Sequence, residues 1–224
     1  MLAVEERIDI KVEQPSVLRY LGYQAGRKVP KRIVSLVDRH IEDTSMMIEP
    51  KHSFVIKDAE RVEGDTAYLG DVTFHGPVVA QLMRRSRKAA IFAVTIGGSL
   101  EGAVGKLADE GRILDAAIVD AVGSAATENV ANAVHDRVRE IAGAQGLGTS
   151  ARFSPGYCDW DIEQQEMVFR AMKGRSAGIR LTNACLMVPR KSVSGIIGMS
   201  PHGDGLENWS PCGACERRDC VGRR

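Results

Sequence analysis

One stretch limits the fold of this chain more than any other. From Leu114 to Ile141 alanine recurs, and Ile118, Ala121, Val122, Ala125, Ala126, Val130 and Val134 follow helical spacing. Gly123 is the weak point of the run, and a single long central helix is the simplest reading. The glycines at 143, 146 and 148 end it.

Shorter signals lie to either side. Ile8, Ile10 and Val12 alternate with polar residues, as in a half-buried strand. Ser16 is placed to cap a short helix from Val17 to Leu21, and Gly22 to end it. Pro30 opens a helix that carries Ile33, Val34, Val37 and Ile41 on one face. Met46, Ile48, Phe54 and Ile56 suggest a pair of strands. His75-Gly76-Pro77 introduces a helix from Val78 to Arg84. Ala89 to Ile96 is a continuous apolar run closed by Gly97-Gly98, which suits a buried strand and a tight turn. Glu101 to Ala108 reads as a helix. So does Asp161 to Met172, with Asp159 or Asp161 as its cap. Ile179 to Met187 reads as extended, and Val193 to Met199 as a strand. The organisation expected is one α+β domain over residues 1–200 and a cysteine-rich tail over 201–224.

Bulk properties remove several function classes. The formal charge of +1 gives no global field toward nucleic acid or membrane. The basic run Arg84-Arg85-Ser86-Arg87-Lys88 reads as a solvated face. No apolar run approaches the roughly 20 residues of a membrane span, and Met1 to Val12 is charged, without a signal-peptide core. The expected location is the cytoplasm, where thiols stay reduced. The five cysteines are therefore not read as a disulfide framework.

Two turns look chemical. Arg152-Phe153-Ser154-Pro155-Gly156-Tyr157 and Ser192-Val193-Ser194-Gly195 each combine a charged or hydroxyl side chain with a glycine that permits close backbone approach. Flanking one helix, they can form two walls of a small-molecule pocket. Glu128 and His135, seven residues apart, share a face of the long helix. Near the end, Cys212, Cys215 and Cys220 give the spacing C-x2-C-x4-C.

These segments together resemble the activation (S-adenosylmethionine-binding) domain of cobalamin-dependent methionine synthase and its stand-alone relatives. Arg152-x-x-Pro155-Gly156-Tyr157 is similar to the family's Arg-Pro-x-Pro-Gly-Tyr. Leu181-Thr182-Asn183, Met187-x-Pro189 and Ser192-Val193-Ser194-Gly195 are similar to its Leu-Thr-Glu, Met-Trp-Pro and Ser-Val-Ser-Gly. Glu128 and His135-Asp136-Arg137-Val138-Arg139 are like its Glu and His-Glu-Arg-Val-Arg. The motifs lie within residues 90–200. The opening Val17-Leu18-Arg19-Tyr20-Leu21-Gly22-Tyr23 looks like that of the stand-alone members.

The resemblance implies helices around a twisted antiparallel sheet and a vitamin B12-linked role in methionine biosynthesis. S-adenosylmethionine would sit against Arg152, Pro155, Gly156, Tyr157, Ser194, Gly195, Ile196 and Ile197, with Arg152 on its carboxylate. A guanidinium suits that task because it grips a carboxylate with two parallel hydrogen bonds. Glu128 and Tyr157 would face cobalamin. Ile197 stands where the family has an aromatic residue. The family's aspartate for the ligand amino group has no clear counterpart, with Asp9 or Glu13 as stand-ins.

Nothing here resembles a cobalamin-binding motif. The implied partner is a corrinoid protein, or a methionine synthase lacking its activation domain, with flavodoxin or ferredoxin as electron donor. The implied reaction is reductive methylation of cob(II)alamin, a methyltransferase function, with the protein positioning the methyl group. Cys212, Cys215 and Cys220, with Cys185 or Cys158 as a fourth ligand, would hold an iron–sulfur cluster as electron relay or zinc. Free thiols remain the plain alternative. The rival function is a docking or metal-binding protein of corrinoid metabolism that has lost S-adenosylmethionine.

Overall fold

The structure, a computed structural model, describes residues 8–24 and 26–216. Cys220 lies outside them. Helix α1 covers Gln14–Tyr20 and α2 Lys31–Thr44. Strand β1 covers Lys51–Asp58, β2 Arg61–Glu63, β3 Thr66–Leu69 and β4 Val72–His75. Then follow α3 (Pro77–Arg84), β5 (Lys88–Thr95), α4 (Ser99–Asp109) and α5 (Ile113–Gly143). After β6 (Leu147–Thr149) come α6 (Gln165–Ala171), β7 (Arg180–Leu181), β8 (Met187–Val188), β9 (Ser192–Pro201) and α7 (Pro211–Ala214). The principal sheet has the order β1-β5-β9-β6, antiparallel throughout.

The long helix forms as its alanines imply. Val119, Ala126, Val130, Val134 and Val138 pack on the sheet face that carries Phe92, Val94 and Ile197. Ile118, Ala121, Val122 and Ala125 pack toward α1 and α2. A helix buried on two sides needs small residues on both, which explains its composition. Gly123 does not break it. A Cβ there would come 3.2 Å from Lys191 Cε, so the glycine opens a groove for that side chain.

Several local expectations are corrected. Ile8, Ile10 and Val12 alternate inward but lie in no strand; they pack on the sheet core from an irregular segment. Helix α1 begins earlier than expected, with Pro15 in its first turn and no side-chain cap from Ser16. Met46 lies in a 3₁₀ turn and is 92% exposed. Only the Phe54 and Ile56 half of that region forms a strand. Residues 180–188 fold back as a small β7–β8 hairpin rather than running extended. The three-stranded meander β2-β3-β4 has no counterpart in the sequence reading. Of the two cap candidates, Asp161 accepts from the Glu163 amide. Asp159 instead accepts from the Val78 amide at the start of α3, at 3.0 Å.

On the other sheet face an aromatic column joins distant segments. Phe74 of β4 meets Trp160 edge-on with ring centres 5.2 Å apart. Trp160 meets Phe153 at 5.1 Å, and Phe153 meets Trp209 at 6.1 Å. Leu206 and Trp209 are buried here, so the segment after Pro201 is loop-like yet anchored in the core. Trp160→Ala should cost about 3–5 kcal/mol by removing the centre of the column. Urea unfolding checks this, with Tyr157→Ala, 64% exposed in the wild type, expected to change little.

Candidate functional site

The chain leaves α5 at Gly143 and runs along the free side of β9. Leu147, Gly148 and Thr149 pair with Pro201, Ser200 and Met199. The Ser150 amide donates to the Gly198 carbonyl at 3.0 Å, and Ser150 Oγ accepts from the Gly198 amide at 2.9 Å. Phe153 then bridges Ile196, donating at 3.0 Å and accepting at 2.8 Å. This path sets the Arg152–Tyr157 loop directly beside Ser194-Gly195. A Cβ on Gly195 would lie 2.5 Å from the Phe153 carbonyl oxygen and 2.7 Å from Ser154 Oγ. The close approach that this glycine serves is therefore loop against strand. Gly156, at φ +90°, turns the loop, and its amide donates to the Trp160 carbonyl at 2.7 Å. Pro155 is buried, and Tyr157 projects to solvent.

The bridge directs Arg152 back onto α5. Its Nη2 donates to Glu128 Oε1 at 2.6 Å and to Asn132 Oδ1 at 2.9 Å. Glu128 and Asn132 are four residues apart and so share a helix face. Both partners of the ion pair are largely covered, with side chains 18% and 26% exposed. Nη1 of Arg152 is buried and has no hydrogen-bond partner. A buried donor left unpaired is costly, and more so on a charged group. The guanidinium is thus left with one buried donor unpaired. His135, one turn beyond Asn132, reaches Thr149 Oγ1 at 3.4 Å. Burial, followed by the Arg139 and Arg152 cations, holds its pKa below the ordinary histidine value. The Lys11 carbonyl accepts from Asn129 Nδ2 at 2.7 Å, which brings the segment bearing Asp9 and Glu13 alongside α5. Both acids are exposed there.

The second wall is more enclosed. Ser194 Oγ donates to the buried Gln165 Oε1 at 3.2 Å, and Gln165 Nε2 donates to the Cys185 carbonyl at 2.8 Å. Ile196 and Ile197 are fully buried, one in each core layer. The amide and carbonyl of Ile196 are both taken by Phe153. Asn132 and Gln165 carry no sequence motif. Only the i, i+4 step from Glu128 marks the former, and nothing marks the latter.

The cysteines sort differently from the sequence expectation. Cys185, at φ +56° in the β7–β8 turn, faces the Glu163 carbonyl and the Glu166 carboxylate. Burial and those acids push its thiol pKa up. Cys158 is the one that lies with Cys212 and Cys215. Among the described residues no group of three or more His, Cys, Asp or Glu side chains is arranged to hold a metal ion, and no helix is long and apolar enough to cross a membrane.

Residues 78–205 match the family model of the vitamin B12 dependent methionine synthase activation domain. The chain belongs to that family. The matched region includes the central helix, the Arg152–Tyr157 loop and β9. A solved structure described as the MetH reactivation domain bound to AdoHcy is similar in fold, with a TM-score of 0.69 and 16% identity. That likeness covers 89% of this chain and 78% of the other. It bears out the α+β class with antiparallel sheets. No curated protein matches the chain.

Two outcomes test this geometry. Gly195→Ala must push the Phe153 carbonyl away, at about 1–3 kcal/mol, and should lower the unfolding midpoint. For His135 the folded state binds its proton less readily than the unfolded chain. Stability is therefore complete above pH 6.5, the ordinary value, and declines as pH falls through it. Below the depressed folded value the decline from this group stops. His135→Gln should flatten that part of the stability profile in urea titrations at successive pH.

Proposed function

We propose that this chain binds S-adenosylmethionine on the surface formed by the Arg152–Tyr157 loop and the adjoining Ser194-Gly195 of β9, and presents its methyl group to a cobalamin carried by a partner. The observation that carries the reading is the buried, unpartnered Nη1 of Arg152, in a chain whose family is the activation domain. Glu128 and Asn132 orient the guanidinium from behind and offset part of its charge. A ligand carboxylate supplies the missing acceptor. AdoHcy, the molecule bound in the structurally similar reactivation domain, carries such a carboxylate beside an amino group.

In this reading Pro155 and Gly156 shape the loop against the ligand, and Ser194 and Gly195 form the adjoining wall. Ile196 and Ile197 support that wall as packed core residues. Exposed Tyr157 and the rim carboxylate of Glu128 face the side from which cobalamin approaches. The bound sulfonium supplies an electrophilic methyl group. The protein contributes position, holding the donor where a cobalt centre can reach it. The partner is a corrinoid protein or a methionine synthase without its own activation domain, and a flavodoxin or ferredoxin supplies the electron.

Calorimetry with S-adenosylmethionine and with AdoHcy tests the site. Wild type should bind both. Arg152→Ala removes charge-assisted bonds of about 1.5–3 kcal/mol each, so affinity should fall at least ~10-fold. Arg152→Lys, which keeps the charge but not the planar fork, should recover only part of it. A wild-type chain that binds neither compound refutes the reading and leaves the docking role in its place.

A further inference from the structure

The first two helices carry a charge pattern that the site around Arg152 does not use. Between Glu13 and Asp38 the sequence holds five cations, Arg19, Arg27, Lys28, Lys31 and Arg32, and neither Asp nor Glu. The whole chain is close to balance, at +1, so the run is a local excess. All five residues are exposed, and no ion pair among the described residues involves any of them. The run lies outside residues 78–205, which match the family model.

A groove of about 660 Å³ runs among these cations. It forms where α1 ends in a tight reversal. The amide of Gly22, at φ +89°, donates to the Arg19 carbonyl at 3.0 Å, and the Tyr23 amide donates to the Leu18 carbonyl at 3.0 Å. Leu18, Tyr23 and Val29 are half-buried and line the groove. Arg19 and Arg27 line it too, and among the described residues no carboxylate does. Arg19 also lies over the Tyr20 ring, 5.5 Å from its centre. Just past Val29, Lys31 and Arg32 occupy the first turn of α2. That turn has no acidic residue, and its N-cap, Pro30, offers no side-chain bond. Cations there oppose the positive end of the helix macrodipole. A local rule broken with no compensating contact inside the chain is the mark of a surface kept for binding.

We infer that this groove docks an acidic segment of a partner protein. Its carboxylates meet Arg19, Arg27 and the start of α2, and its apolar side chains lie on Leu18, Tyr23 and Val29. Clustered arginines recognise acidic motifs through charge-assisted bonds. Tyrosine and arginine are also the residue types that most often dominate binding at protein interfaces. A concave groove with an apolar floor accepts side chains, whereas a bilayer surface is too flat to enter it. A nucleic-acid strand binds through a row of phosphate contacts and would leave that floor unused. Opposite charges steer the encounter, so the association is weakened by salt.

The full chain is titrated, by fluorescence anisotropy, into a labelled peptide of alternating glutamate and leucine. Counterparts carry glutamine or lysine in place of glutamate. The glutamate peptide should bind at least ~10-fold more tightly than either counterpart, and lose that advantage in high salt. Lys31→Glu carries two opposite expectations. Peptide affinity falls at least ~10-fold, while the unfolding midpoint rises, because an acid replaces a cation at the helix N-terminus. The double variant Arg19→Ala, Arg27→Ala should weaken the peptide by a similar factor. Arg85→Glu, at an exposed position elsewhere and with the same change in net charge as Lys31→Glu, should bind as wild type. Equal binding of the glutamate and glutamine peptides overturns the proposal. So does unchanged binding by Lys31→Glu or by the double variant, or a Lys31→Glu midpoint at or below that of wild type. Tighter binding of a deoxythymidine oligomer or of phosphatidylserine vesicles through the same residues overturns it as well, as does a wild-type dimer in sedimentation that Lys31→Glu dissociates. No readout involves S-adenosylmethionine, so this inference and the proposed function fail separately.

Discussion

Two backbone hydrogen bonds between Phe153 and Ile196 organise this molecule. They hold an otherwise irregular loop against the long strand β9, three residues along the strand from the end of its pairing with β6. Three features follow from that contact. Gly195 must lack a Cβ, because the Phe153 carbonyl occupies its place. The Phe153 ring enters the column formed with Trp160 and Trp209. Arg152, the residue before it, is turned onto α5. Sheet pairing, core packing and placement of the guanidinium are thus one arrangement.

Its polar parts are placed against the grain of the core. Pairing Arg152 with Glu128 takes two charges largely out of water, and desolvation offsets much of the attraction. Leaving Nη1 unpartnered adds a further cost. Such a group contributes little to folding. The Ser194, Gln165 and Cys185 chain differs: each contact satisfies another buried polar group, so it ties β9 to α6 and the β7–β8 turn without an open valence.

Legibility in the sequence followed the strength and length of each pattern. Helix α5 and strands β5 and β9 carry long apolar patterns, which tertiary packing reinforces. The β2-β3-β4 meander is built of strands three or four residues long, too short for periodicity to register. Its trace was the pair of Gly-Asp steps at 64–65 and 70–71, each beginning with a positive-φ glycine. Ile8, Ile10 and Val12 show the opposite failure: alternation records which side is buried, not whether a partner strand exists. At the site, motif resemblance pointed to Arg152 and Glu128, which the fold joins. It did not reveal that Ile196 and Ile197 serve the core, because an apolar residue in a motif looks the same whether it lines a pocket or supports one. The grouping of Cys158 with Cys212 and Cys215 depends on how the final segment folds back, which spacing alone does not encode.

Lys191 crosses the groove at Gly123 to reach Asp120 and Ser124, both at 2.8 Å. Glu101 of α4 meanwhile accepts from the amides of Arg190 and Lys191. The entrance to β9 is therefore moored to two helices at once. The facing loop is joined to the strand by the Phe153–Ile196 bridge and the Ser150–Gly198 bonds, and to the core by the rings of Phe153 and Trp160. The two segments are accordingly held by different means: polar ties to helices fix the start of β9, and buried aromatic rings fix the loop.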